Sequence, residues 1–247
     1  MDRIDRTGER RLMNCGLWAE IIEYKNSRNV TVKLEDGTIK NTTYQAFKNG
    51  GIKSRFVPTV YGVGIIGEEQ IIESKGCHCK AYKVWQSMLQ RCYDTKYQEK
   101  KPTYKGCSVC DEWLYFPNFK KWFNENYYTI EGEEIHLDKD ILVKGNKLYS
   151  PETCIFVPKH INSLFSKKSN NDLPEGVYYD KRNKKYCSSI FINYKRKFLG
   201  RFDTIEKAEN IYNEFKKKEI KRIADKYYVN IPNKLYNRLI EISEGYW

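Results

Sequence analysis

The sequence predicts an α+β protein built from successive small modules, and three observations lead there. Between residues 17 and 43, strand-like runs flank Asp36-Gly37, a strong tight-hairpin signal. From Ala81 the apolar residues recur at helical spacing instead. From Gly176 three short strand-like runs precede a helix that opens on Asp203-Thr204, an N-cap pair. A chain of 247 residues suits one large domain or two to three small ones.

The first module, residues 1–66, is a small β-meander. LWAEIIEY and NVTVKL are its strands, and YQAFKNGGIKSRF, with Gly50-Gly51 followed by Pro58, turns the chain into a linker. A module of this size suits either a small barrel that touches DNA or a folding cap.

The central module spans residues 76–166. Its first element, AYKVWQSMLQRCY, places Tyr82, Trp85, Met88, Leu89 and Cys92 on one helical face, which predicts burial. GCSVCDEW and the aromatic run FPNFKKWF follow. Charge nearly cancels here, with 13 basic and 11 acidic residues, so this module is not a polycationic sleeve for DNA.

SKKSNNDLPEG, residues 166–176, reads as a linker. Beyond it, residues 174–230 alternate as strand, strand, strand and helix, and residues 231–247 form a helical tail. In the second strand, period two sends Ser188, Ile190 and Ile192 towards the helix and Ser189, Phe191 and Asn193 to the open face. Leu199 joins the core and leaves Arg196 and Phe198 beside Phe191. Eight basic residues and no acidic one lie between Lys181 and Arg201.

Function classes narrow from composition. The chain carries 44 Lys+Arg against 32 Asp+Glu, a formal charge of +12. Such a balance points to an anionic polymer, nucleic acid first, against the alternative of a lysine-rich solvated surface. The N-terminal MDRIDRTGERR has no apolar segment of signal-peptide type, and no run is long and apolar enough to span a bilayer. A cytoplasmic location is therefore expected, within a host cell if the protein is phage-encoded. The eight cysteines are expected to be reduced or metal-bound rather than disulfide-paired. Double-stranded DNA is the expected partner, with no membrane and no small-molecule substrate.

GVYYDKRNKKYCSSIFINYKRKFLGRFDTIEKAENIY resembles the AP2 DNA-binding domain, over about 50 residues. GVYYDK and FLGRFDTIEKA carry the likeness most specifically. The resemblance implies a three-stranded sheet packed on one helix, reading DNA with its open face. By position the DNA contacts are Tyr178, Lys181, Ser189, Phe191, Arg196 and Phe198. The basic residues Arg182, Lys184 and Lys195 belong to the same patch. The family often has arginines where this chain has Ser189 and Phe191. That departure bears on base specificity rather than on phosphate binding.

The central module resembles the HNH (ββα-metal) nuclease group, particularly phage proteins that pair it with an AP2 domain. YKVWQSMLQRCY, GCSVCDEW and LDKDILVKGNKLYSPETCIFVPKHINSLF carry that likeness. In the group, an acid and a helix residue hold Mg²⁺, a histidine deprotonates water, and a loop asparagine braces the site. Here Asp138 matches the acid and Asn162 the helix ligand, whereas Lys139 stands at the histidine and Thr153 at the asparagine. His136 and His160 are the substitutes for the missing base.

Cysteine spacing suggests a second metal. Cys107-x2-Cys110 has zinc-knuckle spacing, with Cys92 and Cys154 as companions for a structural Zn²⁺. Buried, reduced cysteines acting as small apolar residues are the alternative. Cys77-His78-Cys79 has poorer spacing for joint chelation.

Two functions remain open on these grounds. One is a DNA-binding protein of phage or mobile-element type that cleaves or nicks DNA with Mg²⁺. The other is a catalytically inactive binder that regulates DNA or a host defence nuclease complex, as a counter-defence protein would.

Overall fold

Asp36-Gly37 closes its hairpin as the dipeptide requires. Gly37 takes φ 86°, a value side chains avoid, and the Asp36 carboxylate accepts the Thr38 N–H at 2.9 Å. The computed structural model describes residues 4–73, 76–165, 172–192 and 195–245. It divides into two compact units, Met1–Glu125 and Asn126–Trp247.

The first unit begins with a four-stranded antiparallel meander, β1 (Arg10–Leu12), β2 (Trp18–Asn26), β3 (Asn29–Leu34) and β4 (Ile39–Thr42), in that order. Alternation along β2 and β3 buries Ala19, Ile21, Val30, Val32 and Leu34. Helix α1 (Tyr44–Lys48), N-capped by Thr43, adds Phe47 to that core. The β1 strand falls in the charged N-terminal run, where the sequence carries no strand signal.

Helix α2 (Lys80–Tyr93) buries Tyr82, Trp85, Met88, Leu89 and Cys92, the stripe its periodicity predicts. After α3 (Thr95–Lys100), β5 (Ser108–Val109) and α4 (Asp111–Leu114), helix α5 (Phe116–Asn126) contributes Phe116, Phe119 and Phe123. Trp85 stacks near Phe116, with ring centres 5.2 Å apart, and its indole N–H donates to the Trp113 carbonyl at 2.6 Å. A buried indole donor is thereby satisfied.

In the second unit β6 (Ile135–Asp138) pairs antiparallel with β8 (Ile155–Pro158), and β7 (Leu148–Tyr149) lies between them in sequence. Helix α6 (Lys159–Ser163) follows β8 without a loop and packs on both β6 and β8. Next come β9 (Val177–Asp180), β10 (Lys185–Ile192) and β11 (Lys195–Phe202), an antiparallel sheet in the order β11-β10-β9. Helix α7 (Ile205–Tyr227) packs on all three strands. Residues 166–171 of the expected linker, Asn193 of the expected open face, residues 1–3 and the tail residues 246–247 lie outside the described residues.

Two cores share α7. Its N-terminal half brings Ala208 and Tyr212 under the sheet with Val177 and Ile190. Gly176, at φ 77°, sits where a methyl group would collide with the Tyr212 ring, so only glycine fits there. The C-terminal half instead buries Ile220, Ile223, Ala224 and Tyr227 against Ile141, Ile155, Val157 and Ile161. Helix α8 (Asn233–Glu244) completes this second core with Leu235, Leu239 and Ile242. The stretch expected as the end of an HNH-like module thus packs with the helix expected to belong to the sheet. No helix among the described residues is long and apolar enough to cross a membrane.

Ser188 is fully buried towards α7, and among the described residues its hydroxyl has no hydrogen-bond partner. Ser188→Ala is therefore expected to raise stability by about 1 kcal/mol. Urea denaturation checks it, and a loss of stability would show that the hydroxyl is satisfied after all.

Candidate functional site

Register defines the open face of the C-terminal sheet. Cα partners in antiparallel strands point the same way, so Cys187 shares a face with Tyr178 and Arg201, Ser189 with Phe198, and Phe191 with Arg196. The opposite face carries Ser188, Ile190 and Lys197, and the Lys197 ammonium lies 4.5 Å from the Phe215 ring of α7. A bulge between Ser188 and Ser189 leaves Leu199 without a partner and keeps the faces consistent beyond it.

The open face is a deck of guanidinium groups and aromatic rings. The Arg196 side chain leaves edge strand β11 and lies across β10 to β9. Its Nε donates to Ser189 Oγ at 2.9 Å, and its guanidinium stands 4.4 Å from the Tyr178 ring centre. Arg201 stacks 5.3 Å from Phe198 and pairs with Asp180 at 3.6 Å. Phe191 and Phe198 remain 45% and 50% exposed, so apolar ring surface faces solvent on this deck. Burial pushes the Tyr178 hydroxyl above its ordinary pKa, and the neighbouring Arg196 charge opposes that rise.

Cations gather at one end of this deck. Lys181, Arg182 and Lys184 occupy the β9–β10 turn, where Asp180 accepts the backbone N–H of Arg182 at 3.0 Å. Lys195, at the other end of β10, is in register with Ile192 and so lies on the helix-facing side rather than on the deck. Among the described residues, none of these four side chains has an ion-pair partner. Lys185 and Arg201, by contrast, pair with Asp203 and Asp180. Those two acids lie just outside the acid-free stretch, so the patch carries less net charge than its composition implies.

The second candidate site surrounds Asp138 at the end of β6. The carboxylate Oδ1 accepts the N–H groups of Asp140 and Ile141 at 2.8 and 2.7 Å, so it caps the chain where the strand ends. Burial pushes its pKa up, while those two N–H groups pull against the rise.

Lys139 is 6% exposed, and its ammonium donates to Asp140 Oδ1 at 2.7 Å and to the Asn146 carbonyl at 2.6 Å. Asn146 answers with its own amide, which donates to the carbonyls of Lys139 at 2.9 Å and Leu148 at 2.6 Å. Thr153 donates to the same Leu148 carbonyl at 2.7 Å and lies 3.1 Å from Ser150 Oγ. Asn146 therefore ties the loop shut, a role that alignment on Thr153 alone missed. Its one signal in the sequence is the Gly145-Asn146 turn dipeptide.

His136, on β6, faces Glu134 at 3.6 Å, and Lys159 shares that carboxylate at 2.6 Å. His160, on α6, lies with its ring centre 6.4 Å from that of Tyr227 on α7. Asn162 sits half-buried on the same short helix. Among the described residues, no three His, Cys, Asp or Glu side chains group to hold a metal ion. Asp138, with one oxygen committed to backbone N–H groups, and Asn162 do not by themselves make a divalent-ion cage. Of the candidate zinc ligands, Cys92, Cys107 and Cys110 belong to the first unit and Cys154 to the second. Cys92, Cys107 and Cys154 are buried, and Cys110 is half-buried.

No family model, curated protein or solved structure matches this chain.

Proposed function

We propose that this protein, of phage or mobile-element type, binds double-stranded DNA through the open face of its C-terminal sheet. The observation that carries the reading is the deck of Tyr178, Phe191, Arg196 and Phe198 with the unpaired cations Lys181, Arg182 and Lys184 at one end. Strand β10 has eight residues, and at about 3.3 Å per residue its ends stand roughly 23 Å apart. A B-DNA major groove is about 12 Å wide. A sheet of that span placed in or across the groove sets the cations of the β9–β10 turn against phosphates and its middle against base edges.

Fluorescence anisotropy with a labelled duplex at several salt concentrations tests this. Each phosphate contact contributes a log–log slope of about −0.9, so the three turn cations imply about −2.7. A flat slope, or no binding at low salt, would remove the reading.

A second reading, Mg²⁺-dependent nicking, draws support from the antiparallel β6–β8 pair, the helix that follows it and the Asn146 brace. Against it, the Lys139 ammonium is committed to two acceptors, so it has no lone pair to offer as a base. Supercoiled plasmid incubated with Mg²⁺ or Mn²⁺ separates the two readings. The binder leaves plasmid intact, and the nickase relaxes it in a reaction that Asp138→Ala abolishes.

A further inference from the structure

We propose that the outer face of the N-terminal meander is a self-association surface, taken by the same face of a second copy of this chain. This inference stands apart from the DNA-binding reading and needs nothing from it.

Register builds the face. Arg10, Glu20, Lys33 and Ile39 are Cα partners across all four strands, and Leu12 pairs with Trp18 two residues along. Partners point the same way, so these six side chains share the side opposite the buried Ala19, Ile21, Val32 and Leu34. At the bulge after Ile21, both Ile22 and Glu23 are exposed, so two consecutive residues turn outward. Glu35 adds a carboxylate beside Trp18, whose backbone N–H it accepts at 3.2 Å.

Among the described residues of the first unit, seven large apolar side chains are exposed, and Leu12, Trp18, Ile22 and Ile39 put four of them on this face. Single exposed apolar residues are ordinary, whereas a gathered set marks a contact surface. Trp18 is its natural anchor, since tryptophan is enriched where protein surfaces meet. Leu12 stands in register beside it, and the Arg10 guanidinium lies 5.9 Å from its ring.

Charge selects the occupant. The face sets Arg10 and Lys33 against Glu20, Glu23 and Glu35, so the whole positive excess of a +12 chain lies elsewhere. A phosphate backbone gains nothing from a face where acids outnumber cations. Two copies of a strongly basic chain repel over most of their surface, and least where the excess is missing. A two-fold contact meets itself, so it needs both signs on one patch, and this patch has them. Size then sets the strength. Four strands at about 4.8 Å spacing and the nine residues of β2 outline roughly 14 by 30 Å, or about 400 Å². A standard interface buries about 800 Å² per partner, so the association is weak and concentration-dependent.

Sedimentation velocity on nucleic-acid-free protein, from about 1 to about 200 μM, tests this. Wild type is expected to pass from monomer towards dimer across that range. Trp18→Ser should raise the dissociation constant about 10-fold. Val229→Ser removes an even more exposed apolar side chain from the second unit and should leave it unchanged. Glu20→Lys makes the row from Arg10 to Lys33 wholly cationic, and Arg10→Glu leaves Lys33 facing an acidic majority. Each of these should associate more weakly than wild type, and an equimolar mixture of the two more strongly than either alone. Circular dichroism confirms that all variants fold. A wild type that stays monomeric throughout overturns the proposal, as does association that Trp18→Ser leaves intact. A mixture no stronger than its components shows that the face does not meet itself, and removes the second copy as its occupant.

Discussion

Lys139→Ala is expected to destabilise the second unit by about 3 kcal/mol, measured by urea unfolding at neutral pH. Removing one partner of a buried charge pair typically costs about 3–5 kcal/mol. Asp140 is half-exposed and regains water, which puts the change at the lower end. The Asn146 carbonyl loses its ammonium donor, and Asn146 is itself the clamp on Lys139 and Leu148. Loss of the ammonium should therefore loosen the whole turn from Asp138 to Leu148. Lys139→Met separates packing from charge, because it keeps most of the apolar stem. Its expected cost is about 1.5–3 kcal/mol, that of hydrogen bonds to a charged group. If either variant unfolds within about 0.5 kcal/mol of wild type, the ammonium is a bystander. The turn would then be held by Asp138 and Asn146 alone.

Replacing Lys181, Arg182 and Lys184 together by alanine is expected to lower duplex affinity by two to three orders of magnitude at about 0.1 M salt. The estimate is one counterion released per contact, near 0.9 of a log unit for each cation under those conditions. The salt slope should become shallower by about 2.7. The loss should be nearly the same for every duplex sequence, since end cations position DNA without reading it. Fold is not at risk, because all three side chains are exposed and the Asp180 turn uses backbone N–H groups. Unchanged affinity in this triple variant would move the binding surface away from the sheet and make the β-meander the next place to look.

Much of the architecture was legible because it repeats. The stripe on α2, the alternation in β2 and β3, and the Asp36-Gly37 turn each announce themselves in a few residues. The division of β10 into a helix-facing side and an open side followed from alternation alone, across a bulge placed where it did no harm. What stayed hidden depends on contacts between distant positions. Arg196 lying on Tyr178, Asn146 clamping Lys139, and Asp203 neutralising Lys185 have no periodicity, since each requires a chain already folded. The β1 strand was hidden for another reason. Its residues are all exposed, so no apolar pattern marks it. Module boundaries blurred for the same reason that α7 reads as one unbroken helix. A sequence stripe shows that a face is buried and does not say against what.

The double allegiance of α7 has a thermodynamic consequence. A helix that lines one core with Ala208 and Tyr212 and another with Ile220, Ile223 and Tyr227 makes the two cores fold and melt together. The sheet cannot come apart without stripping a wall from the core around Ile155 and Val157, and the reverse holds equally. Any ligand gripped by the sheet then stabilises the Asp138–Leu148 turn through mass action, without touching it and without any change of shape. Damage travels by the same route: a lesion in the turn weakens the DNA-facing deck by lowering the fraction of molecules in which α7 is in place. Cutting the chain into a sheet module and a loop module would give each piece half of a helix and an open core.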